Sequence, residues 1–200
     1  MSEEEARRTG LPQRIPIPYT LLISALAIVE DVRRCVSMDL KAPGHSLVWA
    51  SSPVFTLTAD GINPNHVGEG TDEPGRFDGA KALHNSVSEL IRGGKVHAAH
   101  DVSDGGLAVA IAEMCIASGF GASITAPGGR LDETIFAPLA TTYILEMSEK
   151  DAAESGWDII GRVEQEPRLG IVGTGARPID LSVCELEDAW RSPLAFGEGQ

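Results

Sequence analysis

The chain has 200 residues, of which 42% are hydrophobic and 22% are charged. These proportions are typical of a folded globular protein, and the length is sufficient for one sizeable domain, or for one domain and part of another. The formal net charge of −13 argues against a nucleic-acid-binding surface, because phosphate backbones are bound by clustered lysines and arginines. The charge does not exclude phosphorylated small molecules, since a metal ion offsets the repulsion locally.

Cysteine spacing and hydropathy indicate where the protein resides. Cys35, Cys115 and Cys184 are far apart, and none has the CxxC or Cys/His spacing of a zinc site. An odd number of widely spaced cysteines suits a reducing compartment. No apolar run approaches the roughly 20 residues of a membrane span, and the charged start MSEEEARR lacks the apolar core of a signal peptide. We therefore expect a cytoplasmic protein without a membrane partner.

The first third of the chain predicts a leader followed by short strands. Residues 1–17 are polar and contain prolines, so we expect a mobile leader. The nearly unbroken apolar run TLLISALAIV at 20–29 predicts a strand buried on both faces, although its alanines leave a helix possible. Three more strands are expected at 34–39, 46–50 and 53–58. A loop rich in Gly, Asp, Asn and Pro is expected at 59–76.

The middle of the chain predicts a helix, a strand and a second helix. Apolar residues recur at helical spacing between 77 and 92, and two glycines follow and end that helix. A short apolar strand at 95–99 leads into a polar hinge at 100–106. The next helix, at 105–118, has an apolar face made of Leu107, Ala110, Ile111, Met114 and Cys115.

The last third predicts strands separated by short helices. Strands at 122–125 and 141–147 precede a helix at 149–155 that Ser148 caps. Two further strands, at 159–163 and 169–172, are expected to form a hairpin. A closing helix is expected at 185–190. This order of elements predicts an α/β sandwich in which helices pack on one face of a mixed sheet.

The polar hinge has the composition of a site for a phosphate and its magnesium ion. Asp101 and Asp104 supply the hard carboxylate oxygens that Mg²⁺ prefers, and Ser103 supplies a hydroxyl. Gly105 and Gly106 allow close approach of the backbone, and the N–H groups at a helix N-terminus favour anions. A purely structural interpretation stays open, in which Ser103 or Asp104 caps the helix and the glycines form a turn.

The histidines of this region do not predict a metal centre. His97 and His100 flank the hinge together with Asp101, but successive side chains of a strand point to opposite faces, so residues three positions apart do too. The two imidazoles are therefore not expected to converge on one ion. His84 is isolated in the sequence and is expected at the surface.

Four stretches of the sequence resemble one enzyme family. The segment HDVSDGGLAVAIAEM at 100–114 is similar to the C-terminal part of the phosphoribosylformylglycinamidine synthases. Stretches at 18–34, 36–44 and 185–193 resemble the same family in the same order, so the resemblance covers residues 16–194. The resemblance implies the ATP-dependent amidotransferase reaction of purine biosynthesis. In that reaction ATP activates the formamide oxygen of formylglycinamide ribonucleotide, and ammonia from glutamine displaces the phosphate.

The resemblance also implies a fold and a division into domains. The family's catalytic half consists of paired α/β domains of the type seen in aminoimidazole ribonucleotide synthetase. On this comparison, residues 18–41 are the tail of a preceding synthetase domain. Residues 42–194 are then a C-terminal synthetase-like α/β domain, and residues 195–200 are a tail.

The ligands implied by the resemblance are ATP and Mg²⁺. By position in the motif, Asp101 binds magnesium and Ser103 contacts the nucleotide. Asp104, Gly105 and Gly106 shape the turn of the nucleotide site. Because the fold is pseudo-symmetric, the nucleotide is either a structural one or the one consumed. No catalytic residue is carried over.

Parts of the family's machinery are not found in the sequence. The glycine-rich substrate loop and the histidine motif of the first domain are missing, and Cys184 lacks the signature of a glutaminase nucleophile. We therefore expect a portion of the synthase that is inactive alone and acts with the remaining synthetase domains and a glutaminase domain or subunit. Two alternatives stay open. One is a non-catalytic structural domain that forms a homo-oligomer through a self-pairing sheet, and the other is a fold relative such as selenophosphate synthetase or thiamine-monophosphate kinase.

Overall fold

The structure is a computed structural model that describes residues 22–29, 31–52, 78–131, 135–136, 141–174 and 177–194. The predicted leader, the strand at 53–58, the loop at 59–76 and the C-terminal tail lie outside the described residues. The chain falls into two units, one that ends at Val32 and one that begins at Arg33.

The apolar run of the first unit is not a strand. Residues 22–29 have no regular secondary structure, and Leu22, Leu26 and Ile28 are 88%, 101% and 95% exposed. The prediction of a doubly buried strand is therefore wrong for this chain. A buried strand needs a neighbouring strand and two covering layers, and no strand in the described part of the chain pairs with this run.

The second predicted strand is also wrong. A 3₁₀ turn spans Val32–Arg34, and only Ser37 makes a bridge, parallel to Ala98. A strand requires repeated backbone hydrogen bonds to a neighbouring strand, and a single bridge does not provide them. The apolar residues at 34–39 are too few to place this segment inside the sheet.

The described residues of the second unit contain a seven-stranded sheet. Its strands are β1 (Ser46–Ser51), β2 (Val96–Asp101), β3 (Gly121–Arg130), β4 (Thr142–Met147), β5 (Asp158–Glu164), β6 (Arg168–Thr174) and β7 (Ile179–Ser182). They lie in the order β2-β4-β1-β5-β3-β6-β7. Every neighbouring pair is antiparallel except β3 and β6, which are parallel. The predicted mixed sheet is confirmed.

Strands β5 and β6 do not form the predicted hairpin, because β3 lies between them. Ile124 of β3 is opposite Gly161 of β5 on one side and Ile171 of β6 on the other. Gly161 permits this close approach, since a Cβ there would lie 2.1 Å from the carbonyl oxygen of Ser123. The turn signal at 164–167 does reverse the chain. The strand that fills the gap comes from about 40 residues earlier, which a local pattern does not reveal.

Among the described residues, four helices pack against the sheet and cover both of its faces. They are α1 (Asp78–Arg92), α2 (Gly106–Ser118), α3 (Glu149–Ser155) and α4 (Val183–Arg191). In β1, Leu47 packs in the apolar cluster with α2 and α4, whereas Val48 packs in the cluster with α1 and α3. The predicted sandwich had helices on one face. The helices occupy both because β1 and β4 are apolar on both sides.

The predicted helices agree closely with the structure. All five residues of the expected apolar face of α2 are buried, and Gly119 ends this helix with φ +76°. Ser148 caps α3 by accepting a hydrogen bond from the backbone N–H of Asp151. In α4, Ser182 and Glu185 form a capping box, in which each side chain accepts a hydrogen bond from the backbone N–H of the other residue.

Candidate functional site

Three neighbouring strands bring the predicted site to one edge of the sheet. β1 and β2 end where their common antiparallel neighbour β4 begins, so Ser51 is opposite Thr142 and Asp101 is opposite Tyr143. The backbone N–H of Val102 continues the pairing by donating to the carbonyl oxygen of Thr142 at 3.0 Å. We call the sheet boundary formed by the end of β1, the end of β2 and the start of β4 the Asp101 edge.

Asp101 is accessible and has an aromatic neighbour. Its side chain is 66% exposed, so its carboxylate is able to meet a ligand. Tyr143 lies opposite Asp101, and its hydroxyl is 2.8 Å from Nδ1 of His84 on α1. Burial, and after it the negative charge of Asp101, raise the pKa of Tyr143 above its usual value. Tyr143 therefore stays neutral at physiological pH. Tyr143 and His84 together form a polar strip beside Asp101.

The other side of the hinge is closed by a histidine. His100 is 14% exposed, with Nε2 at 3.0 Å from Oε2 of Glu113 on α2 and Nδ1 at 3.4 Å from Oδ1 of Asp101. This imidazole holds the end of β2 against α2. His97 lies elsewhere, in a β-bulge of β2, where its ring is 4.6 Å from that of His45. His97 and His100 therefore lie in different surroundings, one beside His45 and the other beside Glu113.

The hinge itself is a glycine turn without a side-chain cap. Gly105 has φ +88° and precedes α2, and no side chain forms a cap hydrogen bond at this helix start. Instead the N–H of Gly106 donates to the backbone oxygen of Ser103 at 3.0 Å. A Cβ at Gly105 would lie 2.4 Å from Cγ2 of Val109, so packing as well as φ requires glycine there. Ser103 and Asp104 are exposed beside this turn.

Two further residues of the Asp101 edge carry no signal in the sequence. Ser52 is 4% exposed, and its hydroxyl has no hydrogen-bond partner among the described residues. Thr141 has φ +59°, a left-handed conformation that is strained for a β-branched residue. The register of β1 and β4 places both residues near the end of β2, and the sequence alone does not reveal this proximity.

A buried carboxylate lies at the opposite end of β4. Glu146 is fully buried and accepts hydrogen bonds from the N–H groups of Lys41 and Ala42, at 2.8 and 3.0 Å. Nδ1 of His45 is 2.7 Å from the same side chain. Glu146 therefore anchors the segment before β1. In the described ranges, no group of three or more His, Cys, Asp or Glu side chains is arranged to hold a metal ion.

An apolar groove of about 240 Å³ lies between α2, α4 and strands β6 and β7. Glu113, the residue that meets His100, is at its border. The groove has exposed aromatic side chains, since Phe136 and Trp190 are 52% and 53% exposed. The groove differs from the polar Asp101 edge, because all of its lining residues except Glu113 are apolar.

The sequence model of the family described as AIR synthase related protein, C-terminal domain, matches residues 43–154, more than half of the chain. The chain belongs to this family. The matched range runs from the turn before β1 to α3, and so contains β1, β2, β4 and the whole Asp101 edge.

Curated relatives of this AIR synthase related chain are much longer proteins. Subunit PurL of phosphoribosylformylglycinamidine synthase from Deinococcus radiodurans is 30% identical over 205 residues, which cover 90% of this chain and 27% of the relative. The PurL subunit from Chelativorans sp. is 32% identical over 193 residues, which cover 86% of this chain and 25% of the relative. The chain thus spans about a quarter of the length of the curated relatives it matches.

Solved structures share the fold of the AIR synthase related domain. T. maritima PurL complexed with ATP has a TM-score of 0.59 at 16% identity, covering 78% of this chain and 27% of that protein. The hydrogenase maturation protein HypE from E. coli has a TM-score of 0.52 at 15% identity, covering 74% of this chain and 52% of that protein. Among the described residues, no helix is long and apolar enough to cross a membrane.

Proposed function

We propose that this chain is a C-terminal portion of a phosphoribosylformylglycinamidine synthase and forms one side of its nucleotide–magnesium site. The reaction proposed for the whole enzyme is the ATP- and glutamine-dependent amidation of formylglycinamide ribonucleotide. Family membership and the PurL relatives support the assignment. The observation that carries it is the exposed carboxylate of Asp101 at the edge of the sheet, beside the glycine turn that starts α2.

The residues present fit magnesium bound through a phosphate. Mg²⁺ keeps several waters and is usually bound by one or two carboxylates together with substrate phosphates. A single accessible carboxylate, Asp101, is sufficient for such a site, whereas a protein-only metal centre would need more ligands than the described residues bring together. When bound, the ion would neutralise phosphate charge and orient the phosphates.

The remaining residues of the motif would position the nucleotide. Ser103 offers an exposed hydroxyl to a phosphate oxygen, and Asp104 lies next to it at the surface. Gly105 and Gly106 form the turn and keep the backbone uncrowded where the phosphates would lie. His100 would hold the end of β2 against α2, which keeps Asp101 at a constant distance from the turn.

Partners are required by this proposal. The chain spans about a quarter of its relatives, so the rest of the nucleotide and substrate site would come from the remaining synthetase domains, and ammonia from a glutaminase domain or subunit. Exposed apolar side chains at 22–29 support contact with another polypeptide. We propose a cytoplasmic location, which the free cysteines Cys35, Cys115 and Cys184 support.

Calorimetric titration with ATP and Mg²⁺ tests the proposed site. The chain is expected to bind ATP only with magnesium present, and Asp101→Asn is expected to weaken binding by about tenfold or more, because the ion loses its charged ligand. Asp158→Asn is the matched control, since Asp158 is an exposed aspartate at the start of β5. Equal affinity of the two variants would remove Asp101 from the site.

A second candidate function is structural association of two copies. It is favoured by the exposed apolar run at 22–29, which resembles a strand in composition and lacks a partner strand among the described residues. Light scattering distinguishes the two: a mass of two chains at micromolar concentration supports association. A monomer that binds no hydrophobic dye counts against it.

A further inference from the structure

We propose that Ser52 is a phosphate-binding residue of the Asp101 edge, and that it donates its hydroxyl to a polyphosphate that also reaches Asp101. The inference rests on the proposed function, since the ligand is the magnesium-bound polyphosphate of that site. It adds a residue outside the hinge motif and defines the face of the sheet on which the ligand lies.

The first support is the unpaired hydroxyl of Ser52. Buried polar groups are nearly always hydrogen-bonded, because an unpaired donor loses its water without compensation. Ser52 is 4% exposed and is the one residue for which this fails among the described residues. Its neighbour differs, since Oγ of Ser51 accepts a hydrogen bond from Oγ1 of Thr142 at 3.2 Å. The unpaired hydroxyl of Ser52, next to the paired hydroxyl of Ser51, indicates that Ser52 donates its hydrogen bond to a ligand.

The second support is that Ser52 and Asp101 share a face of the sheet. Ala50 is opposite Tyr143, and both pack with the cluster that contains α1. Side chains alternate along a strand, so Ser52 follows Ala50 on that face. Asp101 lies opposite Tyr143, and residues directly opposite in a sheet point the same way. The Tyr143 hydroxyl and His84 then lie on the same face.

The spacing matches a polyphosphate. Strands β1 and β2 are both neighbours of β4, so they lie about 10 Å apart, and the two residues are offset along β4 by about 7 Å. The two backbone positions are therefore separated by roughly 12 Å. One phosphate group is too short to reach from a magnesium ion at Asp101 to Ser52. A chain of phosphates, such as that of a nucleoside triphosphate, has the required length.

The third support is the strain at Thr141. The carbonyl oxygen of this residue accepts a hydrogen bond from the backbone N–H of Ser52 at 3.3 Å. Thr141 adopts φ +59°, which a β-branched residue avoids unless its surroundings impose it. Strained backbone is concentrated at binding sites, where it orients the residues that contact a ligand. Here the strained residue positions the backbone of Ser52.

Calorimetry on the full 200-residue chain tests the inference, with Mg²⁺ and either ATP or inorganic tripolyphosphate as probe. Ser52→Ala is expected to weaken binding of both probes by about tenfold, the loss of one hydrogen bond to a charged acceptor. Its thermal unfolding midpoint without ligand is expected to equal or exceed that of the wild type, because a buried unpaired group is removed. The matched control is Ser51→Ala, which is expected to lower the midpoint and to leave both affinities within about twofold.

Three outcomes for Ser52→Ala would overturn the inference. The first is wild-type affinity for both probes. The second is weaker binding accompanied by a lowered unfolding midpoint, which would make Ser52 a structural residue. The third is weaker binding of ATP alone, which would show that Ser52 does not bind phosphate. If Asp101→Asn loses binding while Ser52→Ala retains it, only the inference fails. If the wild type binds neither probe, the proposed function fails together with the inference.

Discussion

Gly105→Ala is expected to destabilise the domain through two separable effects. The residue has φ +88°, and the left-handed conformation costs an alanine about 1–2 kcal/mol. The added Cβ would also lie 2.4 Å from Cγ2 and 2.7 Å from Cβ of Val109. Overpacking of this kind costs about 1–3 kcal/mol. The free energy of unfolding should therefore fall by about 2–5 kcal/mol, the sum of the two effects.

Urea denaturation followed by circular dichroism measures this loss, and two variants separate the effects. Gly119→Ala is the matched control, because Gly119 has φ +76° but nothing within 4 Å of a new Cβ. It should lose only the conformational part, about 1–2 kcal/mol. Adding Val109→Ala to Gly105→Ala removes the Cγ2 contact but not the Cβ contact, so it should restore part of the difference. If Gly105→Ala is no less stable than Gly119→Ala, the packing argument is refuted.

Three other predictions use single properties of the structure. Burial raises the pKa of the Cys115 thiol to about 12, so a thiol reagent at pH 8 should modify the exposed Cys35 and Cys184 in the native protein, and Cys115 only after denaturation. The pKa of Tyr143 is raised in the folded state, so its contribution to stability is present below pH 10 and is lost at higher pH; Tyr143→Phe should make the urea midpoint fall less between pH 9 and 11. Ser182→Ala removes the capping box of α4 and should cost about 1 kcal/mol in the same urea assay, an effect that Ser182→Asp should largely avoid.

Helices and their ends were predictable because they depend on neighbours in the sequence. The apolar spacing of α1 and α2 and the cap at Ser148 are local features, and each is confirmed. The hinge motif also identified Asp101 as an accessible carboxylate at the end of a strand. Local hydrogen bonds and side-chain periodicity within about four residues are sufficient for such features.

Strand partners were not predictable from the sequence. The turn at 164–167 suggested a hairpin, yet β3 occupies the position between β5 and β6. The run at 20–29 has the composition of a buried strand, but residues 22–29 are exposed and unpaired in the described part of the chain. A strand is stable only when distant segments complete its hydrogen bonds. The apolar composition of a segment therefore shows that it requires partner strands and covering layers, but it does not show whether the fold supplies them.

The sequence alone established the family resemblance, through four stretches in the same order along the chain, and it established the hinge with the carboxylate of Asp101, because motifs are read along the chain. Tertiary structure alone decided which side chains stand beside that carboxylate. Tyr143, Ser52 and Thr141 reach the Asp101 edge through the pairing of β4 with β1 and β2, across separations of about 40 to 90 residues. Register between distant strands depends on how the whole apolar core packs, and no short stretch of sequence contains that information.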